Sequence, residues 1–403
     1  MSRDGIPATG DWLLATCTIY YSVIMKPLLA ALLLLCAAIA LAQQPPDVVS
    51  PDVQPDGKVT FRFFDSGAKE VLLLLEGEPK PLPMTRDASG LWSLTFGPLA
   101  PEIYGYSFIA DGVYLMDPNN PDIKPNLISP QNTVHVPGTT PQLWEVADVP
   151  HGVVHHHFYK SKVVGDERDY FVYTPPGFDP KAKTKYPVLY LLHGYSDRAD
   201  GWTAVGQANV ILDNLLAQGK VKPMIVVMPL GYGTPEMIKL KWNAWQNPEA
   251  KQLNFDNFRK ALLTEVMPQV ENAYPISAKR EDRAIAGLSM GGAESLLTGL
   301  NNVDKFSYVG AFSSGGLSSD DFSKDFPTLD AKQGAQLKTL WIACGTSDHL
   351  IDLNRQLKAW LKSKSIAFTD IETPGAHTWQ VWRNNLINFA PLLFQSKQSA
   401  AAT

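Results

Sequence analysis

A chain of 403 residues, 45% hydrophobic and 10% aromatic, carries enough apolar side chain to bury full cores and has the length of about two domains. That composition excludes disorder as the main state. A formal net charge of -5 without any run of Lys and Arg supplies no basic field for nucleic acid, so no nucleic-acid partner is expected.

From Met25 the chain reads MKPLLAALLLLCAAIALAQQ, with one positive residue at Lys26, 16 mainly apolar residues from Pro27 to Ala42, and a small-x-small ending at Ala40-Leu41-Ala42. A membrane-spanning helix needs roughly 20 residues. Residues 1–42 therefore read as an upstream segment plus a cleavable signal, with the true start at Met25, and the mature protein is expected to be secreted or periplasmic with no membrane attachment. The apolar stretch WLLATCTIYYSVI upstream keeps an uncleaved anchor as the alternative. Cleavage before Gln43 removes Cys17 and Cys36 and leaves Cys344, so no internal disulfide is expected. Cys344 lies in LKTLWIACG, an apolar run that suits a buried structural thiol.

Residues 43–137 contain short alternating runs, such as KVTFRFF, EVLLLLEG, LWSLTFG and YGYSFIADG, broken every 8 to 12 residues or so by Gly, Pro, Asp and Asn. The pattern predicts an all-β, immunoglobulin-like antiparallel sandwich. Trp92, Tyr104, Tyr106 and Phe108 are its candidate core aromatics, and Tyr114 and Trp144 are expected to be freer. Residues 138–150, rich in Pro and turn formers, read as a linker.

From residue 151 to 395 the rhythm changes to strand then helix, before a short tail at 396–403. KYPVLYLLHG, KPMIVVMPLG, RAIAGLSMGG, FSYVGAFSSGG and KTLWIACGTSD are apolar runs ending at or near glycine, as expected of strands buried on both faces. Between them lie amphipathic helical patterns such as NFRKALLTEVMPQVENAY. This alternation predicts an α/β fold with a mostly parallel sheet and right-handed crossovers.

Within that unit Gly287-Leu288-Ser289-Met290-Gly291 matches G-x-S-x-G where a strand turns into a helix. Such a turn lifts a serine hydroxyl above the sheet, though glycine-rich turns of this kind also occur without function. A serine hydroxyl is a weak nucleophile and needs a base held by a third group. His349 and His377 are the histidines that follow Ser289, and His377, in GAHTW at the start of the last helical segment, is placed as the base. Asp348, on the loop leaving the LWIACG strand, is the candidate acid, with Asp352 and Glu372 as alternatives. The order Ser289, Asp348, His377 is that of α/β-hydrolases. Oxyanion donors are expected at the backbone N–H of Met290 and of Tyr195.

The segments LLHGYSDRADGW, GLSMGGAES, CGTSD and GAHTW resemble carbohydrate esterase family 1, which holds feruloyl and acetyl xylan esterases, and esterase D more distantly. The likeness runs from about Gly152 to Phe394. It implies an α/β-hydrolase serine esterase with Ser289, His377 and Asp348 as triad, Tyr195 and Met290 at the oxyanion hole, and no cofactor. The first domain, through YGYSFIADGVYLMDPNNP, resembles the early-set sandwich of carbohydrate-binding module family 48. The expected function is removal of feruloyl or acetyl groups from plant cell-wall polysaccharide such as xylan. Rival expectations are a siderophore lactone esterase of the same fold and a non-catalytic carbohydrate-binding protein on a hydrolase scaffold.

Trp202, Trp242, Trp245 and Trp379, on loops after strands, are candidates for an aromatic acyl pocket. His155, His156 and His157 suggest a metal site, but neighbours along a strand point to opposite faces, so none is expected. The sandwich reads either as a tether that brings the enzyme to polymer or as a wall of the acyl pocket. Oligomeric state is not legible.

Overall fold

The computed structural model describes Tyr21, Met25, Lys26 and residues 48–318 and 321–395. Nearly all of the segment read as a signal peptide, and the tail at 396–403, lie outside the described residues. Among the described residues no helix is long and apolar enough to cross a membrane.

The first unit is built from two antiparallel sheets. One runs in the order Asp52–Val53, Val59–Phe64, Leu91–Phe96, Thr85–Arg86. The other is centred on the long strand Glu102–Ala110, flanked by Val71–Leu75 and Gln131–Val136. Alternation decides what faces inward. Val59, Phe61 and Phe63 from one sheet meet Tyr104, Tyr106 and Phe108 from the other, with Phe61 and Tyr106 rings 4.9 Å apart. Trp92 joins this core, while Tyr114 stands exposed.

The second unit carries an eight-stranded sheet in the order Val153–Lys160, Glu167–Thr174, Ile225–Pro229, Val188–Leu192, Arg283–Leu288, Tyr308–Phe312, Thr339–Gly345, Thr369–Thr373. The first two pairings are antiparallel and the rest parallel. The strand Val188–Leu192 shows why its sequence is unbroken hydrophobe: Val188, Tyr190 and Leu192 enter one apolar cluster, and Leu189 and Leu191 enter the other. Helices on both faces complete an α/β-hydrolase architecture.

One expectation fails in the region that joins the units. Trp144 is buried, packed with the cluster that holds Trp202, Trp379 and Trp382, and so is not free to stack on a ligand. The segment read as a linker is docked: the Asn214 side-chain amide donates to the Leu143 and Glu145 carbonyls, both at 2.9 Å. Proline and turn residues signal the absence of regular structure, and they carry no information on whether an irregular segment is packed.

Cys344 is completely buried on strand Thr339–Gly345, and burial pushes its thiol up to about 12. A protonated, inaccessible thiol is inert. Iodoacetamide at pH 8 is therefore expected to leave Cys344 unlabelled in the native protein and to modify it after unfolding, read by peptide mass spectrometry. Labelling of the folded protein would contradict the burial.

Candidate active site

The strand Arg283–Leu288 is buried along its length and passes through Ser289 into the helix Met290–Gly299. Ser289 sits at φ +53° and ψ −116°, a conformation that a residue with a β-carbon adopts only under strain of about 1–3 kcal/mol. The surroundings hold it there. Its N–H donates to the Phe312 carbonyl at 2.8 Å, and its carbonyl accepts from Gly315 N–H at 3.1 Å. A β-carbon on Gly287 would run into the Gly291 carbonyl oxygen, and one on Gly291 into that of His193. Both glycines of the motif are required by close approach of backbone, and the product is an outward hydroxyl at a helix N-terminus.

His377 Nε2 lies 2.9 Å from Ser289 Oγ, and His377 Nδ1 lies 2.8 Å from Asp348 Oδ2. The Asp348 side chain is inaccessible to solvent. Burial alone would raise its carboxyl, but the His377 ring and the Leu350 N–H, 2.8 Å from Oδ1, outweigh burial and hold it below the ordinary carboxylate value. An ionised Asp348 can only accept, so Nδ1 must carry the ring proton, which leaves Nε2 to accept the serine hydroxyl. The loops bearing acid and histidine are tied by Ser347 N–H donating to the Gly375 carbonyl at 2.9 Å.

The alternatives for the acid are engaged elsewhere. Asp352 is exposed and lies 3.9 Å from Arg355, while Glu372 pairs with Arg355 at 2.6 Å and Lys358 at 2.7 Å. His349 is beside the site without joining it: its ring is 4.6 Å from that of His377, and burial followed by the neighbouring His377 lowers its pKa. Asp348, His349 and His377 place ligand atoms within 4.8 Å of one another, but Asp348 and His377 are already bonded together.

Tyr195 follows the strand Val188–Leu192 in a tight turn. Tyr195 shares the cleft with Ser289, and Met290 opens the helix that follows it. The turn is anchored from below by His193, whose Nδ1 donates to the Gly194 carbonyl and whose Nε2 accepts from Gly231 N–H, each at 2.8 Å. Burial lowers His193 to about 4, keeping the ring neutral and Nε2 free to accept. The Tyr195 side chain leaves the turn and reaches the Met237 carbonyl at 2.6 Å.

Ser289 and His377 open onto a cleft of about 570 Å³, within the range typical of small-molecule sites. Trp242, Trp245 and Trp379 line it, together with Tyr195, whose ring lies 5.1 Å from each of the first two. Trp202 does not. It is completely buried, donates from Nε1 to the Leu192 carbonyl at 2.8 Å, and packs behind Trp379, so it belongs to the core. A residue's position on a loop after a strand does not reveal whether its side chain turns outward or back into the protein. Trp382, missed from sequence, lines the cleft edge-on to His377 at 4.8 Å; its spacing of three from Trp379 on one helix was the available signal.

The sandwich adds Glu76, Lys124, Asn126, Ser129 and Gln131 to the lining, and the catalytic unit adds Ser196, Asp197, Lys251, His349 and Leu350 among others. Lys124 pairs with Glu76 at 3.1 Å. Asp197, beside them, is pushed up to about 7 by burial, with Lys124 and Asn126 only partly offsetting it. The histidine run lies elsewhere, on strand Val153–Lys160, where His155, His156 and His157 bond separately to Thr174, Asp169 and Tyr274.

The family model described as "Putative esterase" matches residues 161–393, more than half of the chain. The chain belongs to this esterase family. Relatives bear on the details. The chain is 28% identical over 352 residues to the endo-1,4-beta-xylanase/feruloyl esterase of Xylanibacter ruminicola, covering 86% of this chain and 46% of that protein. The chain thus spans about half the length of that relative. It is similar at TM-score 0.54 and 28% identity to the CE1 ferulic acid esterase of Anaeromyces mucronatus, over 63% of this chain and 96% of that one. The enterochelin esterase of Shigella flexneri shares the fold at TM-score 0.65 and 18% identity, over 86% of this chain and 95% of that one.

Proposed function

We propose that this esterase is exported and removes feruloyl groups from plant cell-wall polysaccharide such as xylan through a Ser289 acyl-enzyme, with acetyl groups as the second choice. The observation that carries this reading is the division of the cleft around Ser289. Trp242, Trp245, Trp382 and Tyr195 supply an aromatic lining suited to a hydroxycinnamoyl ring, far more than a two-carbon acyl group requires. Ser129, Gln131 and Lys124 supply hydrogen-bonding groups suited to sugar hydroxyls on the leaving side. The relatives named for feruloyl ester cleavage support the same substrate class.

In the proposed cycle Ser289 Oγ attacks the ester carbonyl while its proton passes to His377 Nε2, and Asp348 stabilises the imidazolium. The Met290 and Tyr195 amides receive the oxyanion, aided by the positive end of the helix Met290–Gly299. Collapse breaks the ester C–O bond, and His377 returns the proton to the departing sugar oxygen. Water then attacks the acyl-enzyme with His377 again as base, releasing the acid and restoring the Ser289 hydroxyl.

A substrate panel tests the reading. Methyl ferulate and feruloylated arabinoxylan should be hydrolysed with kcat/KM at least tenfold above that for acetylated xylan and for a catecholate trilactone. Turnover of the trilactone with methyl ferulate untouched would overturn the assignment in favour of a siderophore esterase. Absence of turnover on every ester, nitrophenyl acetate included, would favour a binding protein.

A further inference from the structure

The helix Trp379–Phe389 begins two residues after His377, and its own sequence fails to cap it. Thr378 stands at the N-cap position yet makes no capping bond, and its Oγ1 is buried without a partner. The missing acceptor comes from the sandwich, 303 residues away in sequence: Glu76 Oε1 accepts the Trp379 N–H at 3.0 Å. The Glu76 carboxylate is itself fixed, because Oε2 accepts from Gly105 N–H at 2.8 Å and from Lys124 Nζ at 3.1 Å, and its side chain is only 9% exposed. Burial opposes its ionisation, but Lys124, Arg383 and the two amides hold the carboxyl below its ordinary value.

The sandwich makes a second contact at the other half of the site. Ser196, directly after the proposed oxyanion donor Tyr195, has φ +70°, which a serine adopts only when held there. Asn126 Nδ2 donates to Ser196 Oγ at 2.9 Å, and Leu127 N–H donates to the Ser196 carbonyl at 2.7 Å. Asn126 is pre-set for this by its own Oδ1, which accepts from the Ile128 and Ser129 amides.

From these two contacts we propose that Glu76 and Asn126 are positioning residues: the sandwich holds the His377 loop and the Tyr195 loop in their mutual register, and turnover depends on it even for substrates too small to touch the sandwich. This rests on the reading of Ser289, His377 and Tyr195 as the reacting machinery. A tether would act only on polymer, and a wall would act through binding. A register clamp acts on the chemical step, where misplacement by about 1 Å can cost 10²-fold.

The test uses the full chain, a small nitrophenyl ester and a fluorophosphonate that reacts with the activated serine. Glu76→Ala should lower kcat by about 10- to 100-fold with KM within threefold of the parent, and slow fluorophosphonate inactivation by a similar factor. Glu76→Gln, which keeps an acceptor for the Trp379 N–H, should recover most of that loss. Should Glu76→Ala fail to fold, Asn126→Asp carries the test, since it retains the turn acceptor and loses the amide donors to Ser196 and Asp197; the same kcat-selective loss is expected. A rise in KM with kcat and inactivation rate unchanged would overturn the proposal and leave the sandwich as a wall. Unchanged kinetics in both variants, with Ser289→Ala inactive, would overturn it while leaving the triad intact; an active Ser289→Ala would instead remove the reading on which it rests.

Discussion

Ser289→Ala is expected to lower kcat by about 10⁴-fold or more, with the fold and the melting temperature close to those of the parent. The size of the effect follows from the geometry around one oxygen. Ser289 Oγ is 2.9 Å from His377 Nε2, on a backbone strained so as to project it, and the described cleft offers no second hydroxyl bonded to that ring. Alanine tolerates the same backbone as serine, so the lost activity cannot be attributed to unfolding. What remains should be the contribution of the oxyanion donors and of binding, on the order of 10³ over water. Stopped-flow release of nitrophenol gives a second readout: the parent should show an acyl-enzyme burst and the variant none. Parent-like turnover by a folded Ser289→Ala protein would remove the serine from the mechanism.

Asp348→Asn should cost about 10⁴-fold in kcat with a nearly unchanged KM. An asparagine amide facing His377 Nδ1 would favour the ring tautomer that carries its proton on Nε2, and that tautomer cannot accept from Ser289. Asp352→Asn is the matched control and should remain within threefold of the parent, because Asp352 is exposed and turned toward Arg355. If Asp352→Asn were the damaging change and Asp348→Asn harmless, the acid would have to be reassigned.

The parts of this site that can be read from sequence are those fixed by local backbone geometry and by chain order. Gly287 and Gly291 flank Ser289 because carbonyl oxygens crowd both positions, and that crowding leaves a mark in the sequence. Asp348 and His377 follow from the order in which parallel strands deliver their C-terminal loops to one edge of the sheet. Side-chain direction leaves no such mark. Trp202 and Trp242 both follow strand ends and both looked like pocket residues, yet one is completely buried and the other is 58% exposed. Contacts between units are the least legible of all. Glu76 and Asn126 sit in ordinary turn sequences, and only the docking of two separately patterned units brings them to His377 and Tyr195.

Arg383 shows what that docking entails. Its side chain has no exposure; it donates to Glu102 Oε1 and the Ile103 carbonyl on the sandwich and to the Val205 carbonyl on the catalytic unit, each at 2.8 Å. Stripped of the sandwich, the helix Trp379–Phe389 would lose the Glu102 and Ile103 partners of Arg383 and present that guanidinium to solvent. Removal of the first unit is therefore expected to open the Arg383 end of the helix Trp379–Phe389 to solvent, a change that a unit held only by a pliable tether would not cause.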